Sequence, residues 1–483
     1  MNWFLVSPEL SLAGLAVALV LLDLVVAKKG VLAALSVLAL LLAMGLGLSL
    51  WGEVGSTAFN RMLVVDEFAI FFKVFFPAMA ILVVLSSVDY VARFQRSQGE
   101  YYALVLIATL GMMLMAATGE LITIYISLEV VSISFYILAG FLKETKSSEA
   151  GLKYLLLGAV ASAVLLYGMA LLYGLTGTTH LGEIAAVIGT TSGPSPALIM
   201  GLVFLVAGFG FKMALVPFHM WVPDVYEGAP TPVTAYLAVG SKVAAFAVIL
   251  RVFYVAFGAP DWLNLDWGLL FAVLSALTMT VGNVMALPQT NIKRLLAYSS
   301  IAHAGYILMG LAVVGVAPSA DILGRNSVLF YLAAYGLMTM GAFVAIIAIS
   351  HRLNSDMIDD YAGMARRNPW LALGLAFTLI SLIGLPPTAG FVAKIFIFNA
   401  AVQHELLWLV VIAVLNTVVS AYYYLRVVKA MYLGAPPSTE AIPASPAVKA
   451  ALALCCLGVL GLGIVPAALL RWAELAVRIF AGT

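Results

Sequence analysis

The sequence predicts an all-α polytopic membrane protein of about fourteen transmembrane helices, with two inverted five-helix repeats that each contain a broken helix. Three observations carry this. The chain is 64% hydrophobic and only 10% charged, where soluble domains average about 25% charged. Apolar runs of about 20 residues, the length that crosses about 30 Å of hydrocarbon, recur from end to end. Two of those runs are interrupted by proline and glycine, in GFGFKMALVPFHMW and in SLIGLPPTAGFVAKIFIF.

The spans fall at roughly 5–26, 31–51, 66–88, 101–118, 120–142, 149–175, 196–222, 231–257, 265–287, 293–317, 326–350, 369–399, 405–432 and 447–466. The breaks lie in the seventh and the twelfth. That offset is odd, so the broken helices run in opposite directions, as inverted repeats over spans four to eight and nine to thirteen require. The chain then divides into an N-terminal three-helix segment (1–100), a first repeat (101–258), a second repeat (259–432) and a C-terminal helix with a short amphipathic tail (433–483). Leu469 to Phe480, with Arg471, Glu474 and Arg478 among apolar residues, is expected along the interface.

Composition excludes several functions. A net charge of +1 without a basic cluster leaves no nucleic-acid surface. Cys455 and Cys456 are adjacent in an apolar run and supply neither a disulfide framework nor a zinc or iron–sulfur site, so no metal is expected. The first apolar run follows Pro8 and Glu9 rather than a basic segment and reads as a retained span. Basic residues concentrate at alternate span ends, among them Lys28, Lys29, Arg93, Arg96, Lys143, Lys146, Lys293, Arg294, Arg366 and Arg367. Such residues stay cytoplasmic, which places both termini on the far side, periplasmic in a bacterial inner membrane.

Five lysines remain inside the spans: Lys73, Lys153, Lys212, Lys242 and Lys394. A charge at a helix centre costs roughly 2.5–3.5 kcal/mol on insertion scales, so each needs a partner or a wet cavity. Lys153 lies near a span end, from which its long stem can snorkel, and Lys73 has a similar escape. Lys212 is about 22 Å into its span and Lys242 about 14 Å into the next, too deep for that reading. Pro217 removes a backbone donor and clashes with the turn before it, so the helix breaks there and leaves carbonyls without partners. Lys394 follows the double proline of the second break.

Glu129, in YISLEVVSISFY, lies about 12 Å into the fifth span and is the carboxylate suited to pair with Lys212. Burial favours the neutral amine and a nearby carboxylate favours the ammonium. A movement of a few ångströms would therefore switch the lysine between holding and releasing a proton. His303, in LLAYSSIAHAGYILMG, is either a bridge between Lys242 and Lys394 or a hydrogen-bonded structural group. His219 stands beside the first break as a second candidate. Glu129, Lys212, Lys242, His303 and Lys394 then form a line along the membrane plane, with internal water filling the gaps.

The stretch FKMALVPFHMWVPDVYEGAPTPVTAYLAVGSK, with TNIKRLLAYSSIAHAGYILMG and GLPPTAGFVAKIFIF, resembles the antiporter-like membrane subunits of respiratory complex I over spans four to thirteen. The opening SPELSL and LEVVSISFYILAGF are most similar to the chain-N type. The resemblance implies a proton-translocating subunit without redox groups of its own. Glu129 and Lys212 would be its controlling pair, Lys153 and Lys242 further relay lysines, and Lys394 the group nearest the exit. It also implies that electrons pass from NADH to quinone in other subunits, through FMN and iron–sulfur clusters. The expected neighbours are an antiporter-like subunit of the M type and small subunits of the K and J types, within the lipid bilayer. The alternative is a subunit of a multi-subunit sodium/proton antiporter or of a ferredoxin- or hydrogenase-linked complex. A nearly lone deep carboxylate offers no oxygen cage for sodium and favours protons.

Overall fold

The computed structural model describes residues 2–26, 29–94, 97–190, 193, 195–257, 261–316, 322–436 and 440–480. Lys28 and Arg96, two of the basic flanks, lie outside the described residues. Helices α1 (Ser7–Val25), α2 (Gly30–Ser49) and α3 (Glu67–Ser87) form the N-terminal segment, with a small hairpin, β1 (Thr57–Ala58) and β2 (Leu63–Val64), before α3. Next come α4 (Gln98–Ala116), α5 (Leu121–Ala139), α6 (Thr145–Thr176), the short α7 (Leu181–Gly189), α8 (Pro196–Met213), α9 (Trp221–Gly228), α10 (Thr231–Tyr236) and α11 (Lys242–Ala256). The remainder is α12 (Asp261–Ala286), α13 (Ile292–Val316), α14 (Ile322–Leu353), α15 (Met364–Arg367), α16 (Pro369–Ile383), α17 (Ala389–Gln403), α18 (Leu407–Leu433), α19 (Pro446–Ile464) and α20 (Ala467–Val477).

Among the described residues, 13 helical stretches are long and apolar enough to cross a membrane, and α16 and α17 are two shorter apolar helices. That broken pair occupies the expected twelfth span, so every predicted span has a counterpart. Three spans start where the sequence sets a capping residue directly before proline. Ser195, Asn368 and Ser445 each accept a hydrogen bond from the amide three residues on, and proline takes the first helical turn, where no donor is lost.

Burial separates the interior from the lipid-facing shell. The stretches Thr231–Ala256 and Ile292–Val313 are 100% buried and Leu323–Leu353 is 94% buried, against 33% for Thr145–Thr176 and 28% for Pro446–Ile464. The first three carry Lys242, His303, Tyr331 and Tyr335, so these polar groups are walled off from lipid by other helices. α12 and α13 pack backbone to backbone. A Cβ on Gly282 would lie 2.5 Å from the Ala302 nitrogen, and one on Gly305 2.5 Å from that of Met279. The C-terminal tail, expected along the interface, is α20. It packs against α3 and α14, burying Ala473, Ala476 and Val477, with Trp472 edge-on to Phe71 at 5.2 Å. Apolar positions on one side of a short helix fit a protein groove as well as a membrane surface, and α20 places three of them in the groove.

Candidate functional site

Both breaks are built the same way. α8 ends at Met213, where Ala214 turns left-handed (φ 65°) and the Leu215 amide reaches back to the Gly210 carbonyl at 2.8 Å. α16 ends at Ile383, where Gly384 turns left-handed (φ 92°) and the Leu385 amide approaches the Ile380 carbonyl at 3.4 Å. This closure uses up some of the carbonyls a helix end leaves open. Side chains take others. Trp221 Nε1 donates to the Phe211 carbonyl at 2.9 Å, and Lys394 Nζ donates to the Ile383 carbonyl at 2.8 Å.

Lys212, one turn before the first break, is 5% exposed. Its Nζ donates to Ser132 Oγ at 2.7 Å and lies 5.4–5.5 Å from the rings of Tyr136, Tyr154 and Phe211. Glu129 sits three residues before Ser132 on α5, half-buried, and its Oε1 accepts from Ser162 Oγ of α6 at 2.5 Å. The expected direct contact between Glu129 and Lys212 is not formed. Ser162 engages the carboxylate, and Ser132 holds the amine on the same helix face.

Lys242 follows a single π turn, Leu237–Ser241, that interrupts the span. Such turns redirect side chains and recur at functional sites. Lys242 Nζ donates to the Ser300 carbonyl at 2.5 Å and also to Ser300 Oγ, which accepts from Tyr335 Oη at 2.9 Å. Next along α13, Ser299 Oγ pairs with Tyr424 Oη, and that hydroxyl lies 3.4 Å from His303 Nε2. His303 Nδ1 meets Tyr331 Oη at 2.9 Å. Lys394 Nζ also reaches Thr417 Oγ1 at 3.2 Å and sits 4.7 Å from the Tyr306 ring, whose hydroxyl accepts from Asn283 Nδ2 at 3.3 Å. His303 lies on α13 one turn from Ser300, which holds Lys242, and one turn from Tyr306, whose ring faces Lys394. Among the described residues Lys212, Lys242 and Lys394 are all buried and hydrogen-bonded, with no carboxylate ion pair.

Other expected residues lie elsewhere. Lys153 has a side chain 43% exposed and is ion-paired with Glu149 and Asp224, both at 2.8 Å, outside the buried line. His219 is half-buried beside the break, and its Nδ1 lacks a hydrogen-bond partner. Lys73 does not snorkel. It is 2% exposed and joins Glu9 of α1 at 2.5 Å, a buried ion pair between helices that offsets the cost of its charge. A buried two-pronged pair, Arg251 to Asp66 at 2.8 and 2.9 Å, was not expected from the sequence. Its sequence signal is Asp66 itself, which caps α3 by accepting from the Ala69 amide. Among the described residues no group of three His, Cys, Asp or Glu side chains could hold a metal ion.

Residues 118–420 match the family described as the transmembrane region of NADH:quinone oxidoreductase and Mrp antiporter. Paired helix breaks and buried lysines therefore sit in an antiporter-like membrane protein. The chain is 49% identical over 479 residues to NADH-quinone oxidoreductase subunit N of Dehalococcoides mccartyi, covering 98% of each. It superimposes with a TM-score of 0.81 at 37% identity on a chain of respiratory complex I from Thermus thermophilus, covering 96% of this chain and 98% of that one. A chain of the Mrp complex from a Dietzia species gives 0.86 at 22% identity over 100% of this chain and 98% of that one, a likeness of fold alone. The chain belongs to the NADH-quinone oxidoreductase subunit N family.

Proposed function

We propose that this chain is a proton-translocating membrane-arm subunit of a complex I-type NADH:quinone oxidoreductase. Glu129, Lys212, Lys242, His303 and Lys394 carry the proton. The observation that supports this most strongly is the row of buried polar groups along α13, where Ser300 holds Lys242 and meets Tyr335, Ser299 pairs with Tyr424, which reaches His303, and the Tyr306 ring faces Lys394. Amines without an ion-paired carboxylate can give up a proton without leaving an unpaired buried anion behind. Hydroxyls and an imidazole both donate and accept, so they can pass that proton onward.

Glu129 controls the near end. Its carboxylate and the Lys212 amine share one face of α5 through Ser132, and a rotation that brings them closer favours the ammonium. Two breaks closed by the same hydrogen-bond pattern support the reading of two inverted repeats, each supplying one half of the route. Lys153 and His219 belong to the flank of the first break rather than to its centre.

The chain holds no redox centre in this reading. FMN, iron–sulfur clusters and quinone belong to other subunits, and their reaction reaches this one as a movement or a change of charge. Its neighbours are the M-type antiporter-like subunit and the small K- and J-type subunits, in a bacterial inner membrane with both termini periplasmic. The test is turnover-driven pumping by the assembled complex carrying Lys242→Ala or Lys394→Ala. Both variants are expected to assemble and to lose pumping and quinone reduction together. Normal pumping in either would remove that amine from the relay.

A further inference from the structure

α9 links the protein surface to Lys212. On its outer side Asp224 is ion-paired with Lys153 of α6 at 2.8 Å and with Arg294 of α13 at 2.7 Å, and Arg294 also reaches Glu227 at 3.1 Å. Lys153, Asp224 and Glu227, with Lys146 and Glu149, line a polar pocket of about 170 Å³. One turn before Asp224, Trp221 is 3% exposed and stacks on Tyr154 with ring centres 4.5 Å apart and planes 12° apart. Its ring lies 5.3 Å from that of Phe211, and its Nε1 is tied to the Phe211 carbonyl. Tyr154 and Phe211 are two of the rings that face the Lys212 ammonium, each at 5.5 Å.

Tyr154, next to the pocket's Lys153, and Trp221, one turn from its Asp224, thus form an aromatic layer beside the buried amine. Trp221 has no group that titrates, and a stacked ring admits no water, so the layer blocks protons while it stays closed. The ion pairs sit where they can control it. Lys153 precedes Tyr154 on α6, and Asp224 follows Trp221 by one turn on α9. The Lys153–Asp224 bond therefore ties together the two helices that carry the stacked rings. The break before α9 leaves that helix joined to α8 by a short non-helical link, the place where a small rotation costs least.

We infer that Trp221 is a gate between the polar pocket and Lys212, held shut by the Lys153–Asp224–Arg294 ion pairs, so that protons reach the amine only when α9 turns. This rests on the relay reading above. The test uses the whole parent complex in liposomes, given a pH gradient with neither NADH nor quinone present, with gradient decay followed by a pH-sensitive dye. Trp221→Ala is expected to speed decay about threefold or more, and Trp221→Phe, which keeps a ring in the stack, to restore tightness. Asp224→Asn, which removes the ion pairs and leaves the rings, is expected to fall between them. Adding Lys212→Ala to Trp221→Ala is expected to return decay to the wild-type rate, because the leak runs through that amine.

An assembled Trp221→Ala complex as tight as wild type overturns the gate, and so does a leak that persists without Lys212. Should Trp221→Ala fail to assemble, Asp224→Asn decides, and wild-type decay there overturns the proposal. Lys212→Ala alone, measured for turnover-driven pumping, reports on the relay separately. Normal pumping removes the relay, whereas lost pumping together with a tight Trp221→Ala complex removes only the gate.

Discussion

Lys394 and Ile383 face each other across the second helix break, with the lysine amine donating to the carbonyl at 2.8 Å. The carbonyl is one of the acceptors that the end of α16 leaves open, so the amine proposed to carry a proton also caps a helix. An amine donates in both its charged and neutral forms, and the cap therefore survives proton loss.

Two substitutions separate these roles. Lys394→Met removes the donor and is expected to cost about 1–3 kcal/mol of stability as well as pumping. Lys394→Arg keeps a donor but cannot lose its proton at any working pH. It is expected to hold the melting temperature and still abolish pumping. Melting curves of the purified complex beside pumping assays check both, and an arginine variant that pumps normally contradicts the proton-carrying role.

Ser132→Ala takes away the hydroxyl that positions Lys212. A hydrogen bond to a charged group is worth about 1.5–3 kcal/mol, which corresponds to about tenfold or more in rate if it is lost in the transfer step. Pumping rates for Ser132→Ala, Glu129→Gln and the double variant test this. The double variant should be little worse than the single ones, because both changes act on one amine. Fully additive losses would separate the two residues.

His303→Ala interrupts the stretch between Lys242 and Lys394 and is expected to slow pumping about tenfold or more. Tyr424→Phe removes one hydroxyl beside it and should slow pumping less, since Tyr331 still holds the ring. A His303→Ala complex that pumps at the wild-type rate would leave the histidine a structural role only.

Part of the charge in this chain is for folding. Arg251→Ala strands Asp66 in the core and is expected to cost about 3–5 kcal/mol, seen as loss of assembly on a native gel. Arg251→Met combined with Asp66→Leu should recover assembly, since no buried charge is then left without a partner.

The pH response of the gate follows from Asp224. Burial raises its carboxyl, but hydrogen bonds from Lys153 and Arg294 outweigh that and hold it below the usual carboxylate range. Glu149, Glu227 and Lys146 face the same pocket. A lowered carboxylate contributes its stabilisation above its ordinary value and loses it as pH falls through the lowered one. The ion pairs are therefore intact between about pH 5 and 8, and gradient decay of the wild-type complex is expected to be flat there and to rise only in stronger acid. A step in decay near neutrality would assign the control to a histidine instead.

The sequence was most legible where one constraint acts alone. Apolar runs of membrane length, the breaks at Pro217 and at Pro386–Pro387 and the depth of Lys212, Lys242 and Lys394 all follow from a hydrocarbon solvent that tolerates neither charge nor open backbone. Contacts between helices were not legible. Ser132 and Ser162 intervene between Glu129 and Lys212, and no spacing within one chain segment reports which hydroxyl a neighbouring helix will offer. Lys73 was misjudged for the same reason, because Glu9 lies 64 positions away in the chain. The π turn before Lys242 has no proline or glycine pair to announce it beyond Gly240 in an unbroken apolar run. Nothing in the spacing around Trp221 reports that its ring stacks on Tyr154, which comes from another helix.

The most direct test is pumping measured alongside quinone reduction in membranes carrying Lys212→Ala, with assembly of the parent complex checked on a native gel. A relay coupled to redox chemistry predicts an assembled complex in which both activities are severely reduced, because the machine stalls when one proton step is blocked. Normal assembly with both activities near wild type would contradict it and make the buried lysine a structural group.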